Sequence, residues 1–492
     1  MTTRKSPRLA TGIPGLDLIL EGGLLAGGVY LVQGPPGSGK TILANQLCFH
    51  QARSGRRAIY FTLLSDSHAA MFGHLERMAF FAGELVGDAV VYFSGYKVLE
   101  EEGIGGLARL IGKTMADRDP SVVVVDGFVT ASDAAHAPGD LKQFVRQVQT
   151  FSASLSCTTL LLGSSPARPA VLPEHTVVDG IIELSDDLNG LRSLRHLQVR
   201  KMRGTREIRG CHTIEITDQG MAVHTRFEVG STVARHGNAV GDARRGFGIA
   251  ELDAMMNGGV PAGSITMLLG ASGAGKTTTA LQFIAAGAAA GEPGLYFSMY
   301  EQPDALLAKS DRLHLGLRGA VEAGLVHLAW ERPIEGVLDI IAARMLQRVR
   351  ELGIQRLVID GMHSLFRTID FPARMRAVSA ALAEELTGRG VTTVYSLETP
   401  DLIGAAGAAI SVPIEDLSAM SHNVVVLRQV ECDGELSRTI AILKMRDSDY
   451  DGRVRALRIT DRGIVLTRPP RGDPRAASRG RGGFPRTRKP KP

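Results

Sequence analysis

Two stretches of this chain, GPPGSGKT from Gly34 to Thr41 and GASGAGKT from Gly270 to Thr277, have the residue types and spacing to grip a polyphosphate. Both fit G-x-x-x-x-G-K-[ST]. The glycines, Gly34, Gly37 and Gly39 in one copy and Gly270, Gly273 and Gly275 in the other, let the backbone curl until its N–H groups face phosphate oxygens. Ser38, Ser272 and Ala274 lie inside the loops, and Thr278 follows the second one. Lys40 and Lys276 are placed to reach the β- and γ-phosphates, and the Thr41 and Thr277 hydroxyls to ligate Mg²⁺. An apolar run precedes each loop, and a helical pattern, TILANQLCFH or TTTALQFIAA, follows. Each anion site is thus expected at a helix N-terminus. Asp126 and Asp360 each end an apolar strand pattern, where a carboxylate can hold a water on Mg²⁺. ATP and Mg²⁺ are the expected ligands.

The elements that must position these residues occur twice. TGIPGLDLILEGGLLAGGVYLVQGPPGSGKT from Thr11 aligns without a gap to FGIAELDAMMNGGVPAGSITMLLGASGAGKT from Phe247, at an offset of 236. SVVVVDGFVT around Asp126 answers RLVIDGMHSL around Asp360 at 234, and KMRG at Lys201 answers KMRD at Lys444 at 243. Three landmarks in one order imply a tandem duplication with a period too long for a solenoid. In the first half, residues 29–33, 58–63, 121–126, 158–163 and 178–184 read as near-continuous apolar strands with helical patterns between them. That pattern predicts an α/β fold with a mainly parallel sheet covered on both faces, its ligand site at the carboxyl ends of the strands. The expected layout is a first domain at 7–230, a polar linker at 231–246, a second domain at 247–466 and a tail at 467–492.

Bulk properties narrow the class. A chain of 492 residues with 44% hydrophobic and 22% charged content reads as a globular protein of several domains. No apolar run approaches the roughly 18 residues of a membrane helix, and the N-terminus lacks a signal-peptide core, so a cytoplasmic protein without membrane attachment is expected. Cys48, Cys157, Cys211 and Cys432 are scattered and read as reduced residues. The net charge of +5 is uneven, because residues 468–492 carry +8 and leave about −3 for the rest. Rich in Arg, Pro and Gly, the tail is expected to be disordered and to serve as an arm for nucleic acid or an acidic protein partner, or only as a solubilising extension.

The order of P-loop, acidic strand end and late K-x-R is similar to the RecA-like ATPases. The duplication, the GIPGLD opening at Gly12 and the repeated KMR resemble the KaiC family over residues 7–466. The resemblance implies two tandem RecA-like P-loop NTPase domains, a homohexamer of two stacked tiers, and protein partners. It implies that a pair of adjacent glutamates after the strand following the P-loop helix serves the hydrolytic water. In the second half Glu301 matches the second glutamate and Tyr300 replaces the first. In the first half Leu64 and Ser65 stand at the pair, with Asp66 one residue late. The second copy is therefore expected to hydrolyse ATP and the first mainly to hold it. Lys201 with Arg203, and Lys444 with Arg446, match the cations that reach a neighbour's γ-phosphate in that family. Ser418 matches one acceptor of an autophosphorylated Ser–Thr pair whose threonine position holds Ala419, and Ser421 is a further acceptor candidate. The competing readings are a RecA-like DNA-handling ATPase and a nucleotide-gated scaffold. The slightly acidic body and the single tryptophan, Trp330, offer little for stacking bases.

Overall fold

The computed structural model describes residues 7–63, 68–133, 138–165, 173–189, 192–230, 241–332, 336–369, 371–399, 420–432, 435–446 and 448–468. Leu64, Ser65, Asp66, Ser418, Ala419, residues 231–240 of the linker and the tail from 469 lie outside them. The chain divides into two compact units, 1–230 and 231–492.

The first unit is built on nine strands: β1 (Val29–Gln33), β2 (Ala58–Thr62), β3 (Val90–Ser94), β4 (Val122–Asp126), β5 (Thr158–Gly163), β6 (Gly180–Asn189), β7 (Arg192–Met202), β8 (Cys211–Thr217) and β9 (Gly220–His224). They form one sheet in the order β3-β2-β4-β5-β1-β6-β7-β8-β9. Six strands, β3 to β6 in that order, run parallel, and the remaining three continue antiparallel. The sheet is therefore mixed, with a meander at one edge that the apolar pattern alone did not place. The antiparallel strands alternate apolar and polar residues because only one face of each is buried, whereas the central strand β1 is buried along its whole length.

Residues alternate across the sheet into two cores. Tyr30, Val32, Tyr60, Val124 and Leu160 pack with Leu43, Ala44 and Leu47 of α1 (Lys40–Arg53) on one side. Val29, Leu31, Ile59, Phe61 and Val125 pack with Leu107, Ile111, Phe144 and Val148 on the other. Burying each such aliphatic side chain favours the folded state by roughly 1.5–3 kcal/mol.

The second unit repeats the plan with β10 (Ile265–Gly270), β11 (Gly294–Ser298), β12 (Val326–Trp330), β13 (Arg356–Asp360), β14 (Thr392–Glu398), β15 (Asn423–Cys432), β16 (Glu435–Met445), β17 (Arg455–Thr460) and β18 (Gly463–Thr467). Their order, β12-β11-β13-β14-β10-β15-β16-β17-β18, matches the first sheet strand for strand. Two helices bear on the site: α2 (Lys276–Ala289), which follows the loop, and α3 (Pro303–Arg312). In both units the P-loop leaves the carboxyl end of a central strand, β1 or β10, and one parallel neighbour, β5 or β14, ends beside it. Among the described residues no helix is long and apolar enough to cross a membrane.

Candidate nucleotide sites

Glycine is required in the loops for two separate reasons. Gly37 and Gly39 sit at φ 80° and 102°, and Gly273 and Gly275 at 76° and 108°, a left-handed backbone that side chains resist. At Gly34 a Cβ would fall 2.7 Å from Ser38 Oγ, and at Gly270 it would collide with the Leu427 carbonyl oxygen. The helices that follow begin at Lys40 and Lys276 without a side-chain cap, leaving their first N–H groups for an anion.

Both P-loop lysines are folded into their own loops. Lys40 Nζ donates to the carbonyls of Gly34 and Pro35, and Lys276 Nζ to those of Gly270 and Ala271, each at 2.8 Å. Burial lowers the pKa of both, opposed by Asp126 at the first and by Glu398 and Asp360 at the second. Ser38 Oγ is buried without a partner, an orphaned polar atom inside the loop. Ala274 is fully buried, so only its backbone can meet a nucleotide.

The carboxylates fall where strand ends converge. Asp126 Oδ2 accepts from Tyr60 Oη at 2.6 Å and, at 3.5 Å, stands opposite Thr41 Oγ1. Burial raises its pKa against these hydrogen bonds. Asp360 is held more fully. Its Oδ2 accepts from Tyr296 Oη (2.7 Å) and Thr277 Oγ1 (3.2 Å), and its Oδ1 from Ser396 Oγ (2.5 Å). A hydroxyl beside a carboxylate at the loop's end is the oxygen donor set that Mg²⁺ takes, completed by water and phosphate. The residues present therefore fit Mg²⁺ and a nucleotide in both units. Tyr60 and Tyr296 escaped the motif reading. The signal was available, because they occupy the same place in AIYFT and GLYFS at the repeat's own offset of 236.

In the second unit a cavity of about 370 Å³ gathers Ser272, Gly273, Gly275, Lys276, Thr277 and Thr278 with Tyr300, Glu301, Asp360 and Ile459. Lys309, Ser396 and Glu398 also line it, and none of these three was expected from the motifs. The Glu301 and Tyr300 backbone N–H groups both donate to Ser298 Oγ, a tight turn that ends β11. The Glu301 carboxylate accepts from Lys309 Nζ of α3 at 2.5 Å. Tyr300 Oη accepts from Ser364 Oγ, and the tyrosine is half exposed at the cavity wall.

The KMR cations are not brought to the P-loops of their own units. Lys201 pairs with Ile181 and Lys444 with Val424, three residues short of the loop along the sheet. Lys201 Nζ donates to the carbonyls of His175 (2.8 Å) and Val178 (2.6 Å), and Lys444 Nζ to that of Ser421 (2.9 Å). The Arg203 guanidinium donates to the Thr176 carbonyl, and the backbone N–H of Arg446 to that of His422. Burial lowers the pKa of both lysines, and the neighbouring arginine adds to the effect. Ser421 is corrected as an acceptor candidate. It is fully buried, and its hydroxyl is 2.5 Å from Tyr395 Oη.

The family model for the KaiC ATPase matches residues 9–228 and again residues 246–471. Over 475 residues, 93% of this chain and 89% of the relative, the sequence is 26% identical to the circadian clock oscillator protein KaiC of Picosynechococcus sp.. Over 471 residues, 93% and 88% of the two chains, it is 24% identical to the circadian clock oscillator protein KaiC of Synechococcus elongatus. With a duplicated fold, two loops and the family's match to both halves, the chain belongs to the KaiC family of ATPases.

Proposed function

We propose that this protein is a ring-forming ATPase in which the second domain turns over ATP and the first holds it as a structural ligand. ATP turnover would be coupled to ring conformation and to the binding of protein partners. The observation that carries this reading is the convergence of Glu301, Lys276, Thr277 and Asp360 on one cavity. In the first domain Ser65 stands in the sequence where Glu301 does in the second.

Thr277 Oγ1 and Asp360 would hold Mg²⁺ in the second site, as Thr41 and Asp126 would in the first. The ion, when bound, neutralises charge on the β- and γ-phosphates. Lys276 exchanges its two carbonyl partners for phosphate oxygens, and the N-terminal N–H groups of α2 receive the anion. Glu301 orients and polarises the attacking water. Lys444 and Arg446, standing back from their own loop, would serve the site of an adjoining copy in a homohexamer, with Lys201 and Arg203 doing so in the first tier. Any serine autokinase activity rests on Ser418. The basic tail is assigned to nucleic acid or an acidic partner on its charge alone.

Glu301→Gln tests the central assignment. Steady-state hydrolysis should fall by about 10²–10⁴-fold while nucleotide binding survives, the usual loss on removing a positioned acid–base group. Turnover within about twofold of wild type would overturn it.

A further inference from the structure

A third carboxylate in the same cavity has no role in that scheme. Glu398 is the last residue of β14 and pairs in register with Gly270, the first residue of the P-loop. Its carboxylate lines the cavity with Glu301 and Asp360, stands 3.9 Å from Lys276 Nζ, and is about half exposed. The three carboxylates differ in how they are held. Asp360 is enclosed by three hydroxyls, and Glu301 is bound at 2.5 Å to Lys309. Among the described residues Glu398 has only a long approach to Lys276, an ammonium already occupied by two carbonyls. A triphosphate that drew Lys276 outward would leave the half-exposed Glu398 on the cavity wall without that cation. In the first unit the residue level with the P-loop start is Ser164, one place beyond Gly163 of β5. The extra carboxylate thus belongs to the site that already holds Glu301.

We propose that Glu398 is a second catalytic carboxylate of the second nucleotide site, sharing with Glu301 the water that attacks ATP. This inference rests on the hydrolytic reading of that site. The water oxygen forms a bond to the γ-phosphorus as the bond from that phosphorus to the β–γ bridging oxygen breaks. The electron pair leaves with ADP, and the water proton passes to a carboxylate and then to solvent. Lys309 holds Glu301 toward the water as orienter, and Glu398 takes the proton.

The test compares full-length Glu398→Gln, Glu398→Asp and Glu301→Gln. Measured quantities are kcat, KM for ATP, equilibrium binding of ADP, and the ATP-to-ADP ratio of nucleotide extracted from the protein. Glu398→Gln should lower kcat by about 10²-fold with ADP binding unchanged, and the extracted nucleotide should shift from ADP to ATP. Glu398→Asp should recover part of the rate. The proposal is overturned if Glu398→Gln keeps kcat within about tenfold of wild type. It is equally overturned if the variant only weakens ADP binding, which would make Glu398 a support for Lys276, or if added Mg²⁺ restores the rate. An active Glu398→Gln beside an inactive Glu301→Gln refutes this proposal alone. Two active variants refute the hydrolytic reading itself.

Discussion

Glu301 and Lys309 show how one side chain sets the usefulness of another. A carboxylate free to rotate samples many positions, whereas the Lys309 ammonium fixes it from one side and the Ser298 turn fixes its backbone. Misplacing a reacting group by about 1 Å can cost ~10²-fold in rate. Lys309→Ala should therefore lower kcat by up to about 10²-fold with KM little changed, and Lys309→Arg should restore most of it. Steady-state kinetics on both variants decides. A rise in KM at constant kcat would assign Lys309 to substrate binding. The P-loops, Asp126 and Asp360 were legible because each is a residue type fixed by chemistry at a fixed distance from a strand end, whereas Glu301 was reached through the family resemblance. Lys309 and Glu398 were not, because they enter the cavity from α3 and β14, whose approach depends on strand order and not on spacing along the chain. Ser421 read as an acceptor candidate in the sequence. It is buried because it precedes β15, the strand paired with β10 at the centre of the sheet.

Among the elements, the central parallel strands were readable as unbroken apolar runs, and four of the five expected in the first half lie within one residue of their expected ends. The fifth, expected over 178–184, extends to Asn189 as β6, because its outer half pairs with β7 in a long hairpin with polar residues outside. β3 was missed: an edge strand of five residues, of which only Val90 is fully buried, offers little periodicity. The same central strands carry buried phenols with a testable cost. Burial, opposed by the Leu25 hydrogen bond, lifts Tyr30 of β1 to about 12, and burial, opposed by Ser421, lifts Tyr395 of β14 to about 12. Each folded-state value lies above the ordinary value near 10. Each phenol's contribution is therefore complete below pH 10 and is lost as pH rises through 12. Two pH units correspond to roughly 2.7 kcal/mol per phenol. Urea midpoints should drop between pH 10 and 12 in step with tyrosinate absorbance near 295 nm. Constant midpoints across that window would show that these phenols are not protected by the fold.

For the whole molecule, the proposed reading makes the first nucleotide site matter through assembly. Lys40, Thr41 and Asp126 are in place there, so a nucleotide that binds only an assembled form stabilises it by mass action, by about 2.7 kcal/mol at a hundredfold excess over its dissociation constant. Lys40→Ala should shift the size-exclusion profile with ATP toward smaller species, while hydrolysis per assembled particle changes little. An unchanged profile would remove the structural role from the first site.

The strand-for-strand match of the two sheets has an evolutionary consequence. The position answering Lys309 is Gly73, where an added Cβ would meet nothing within 4 Å. The position answering Glu398 is Ser164, which is exposed. Neither place is closed to a longer side chain. On the proposed division of roles, the halves can trade a catalytic and a storage role through a few point changes, without redesign of either scaffold. Descendants of one ancestor are free to differ in which half burns ATP while keeping the same architecture.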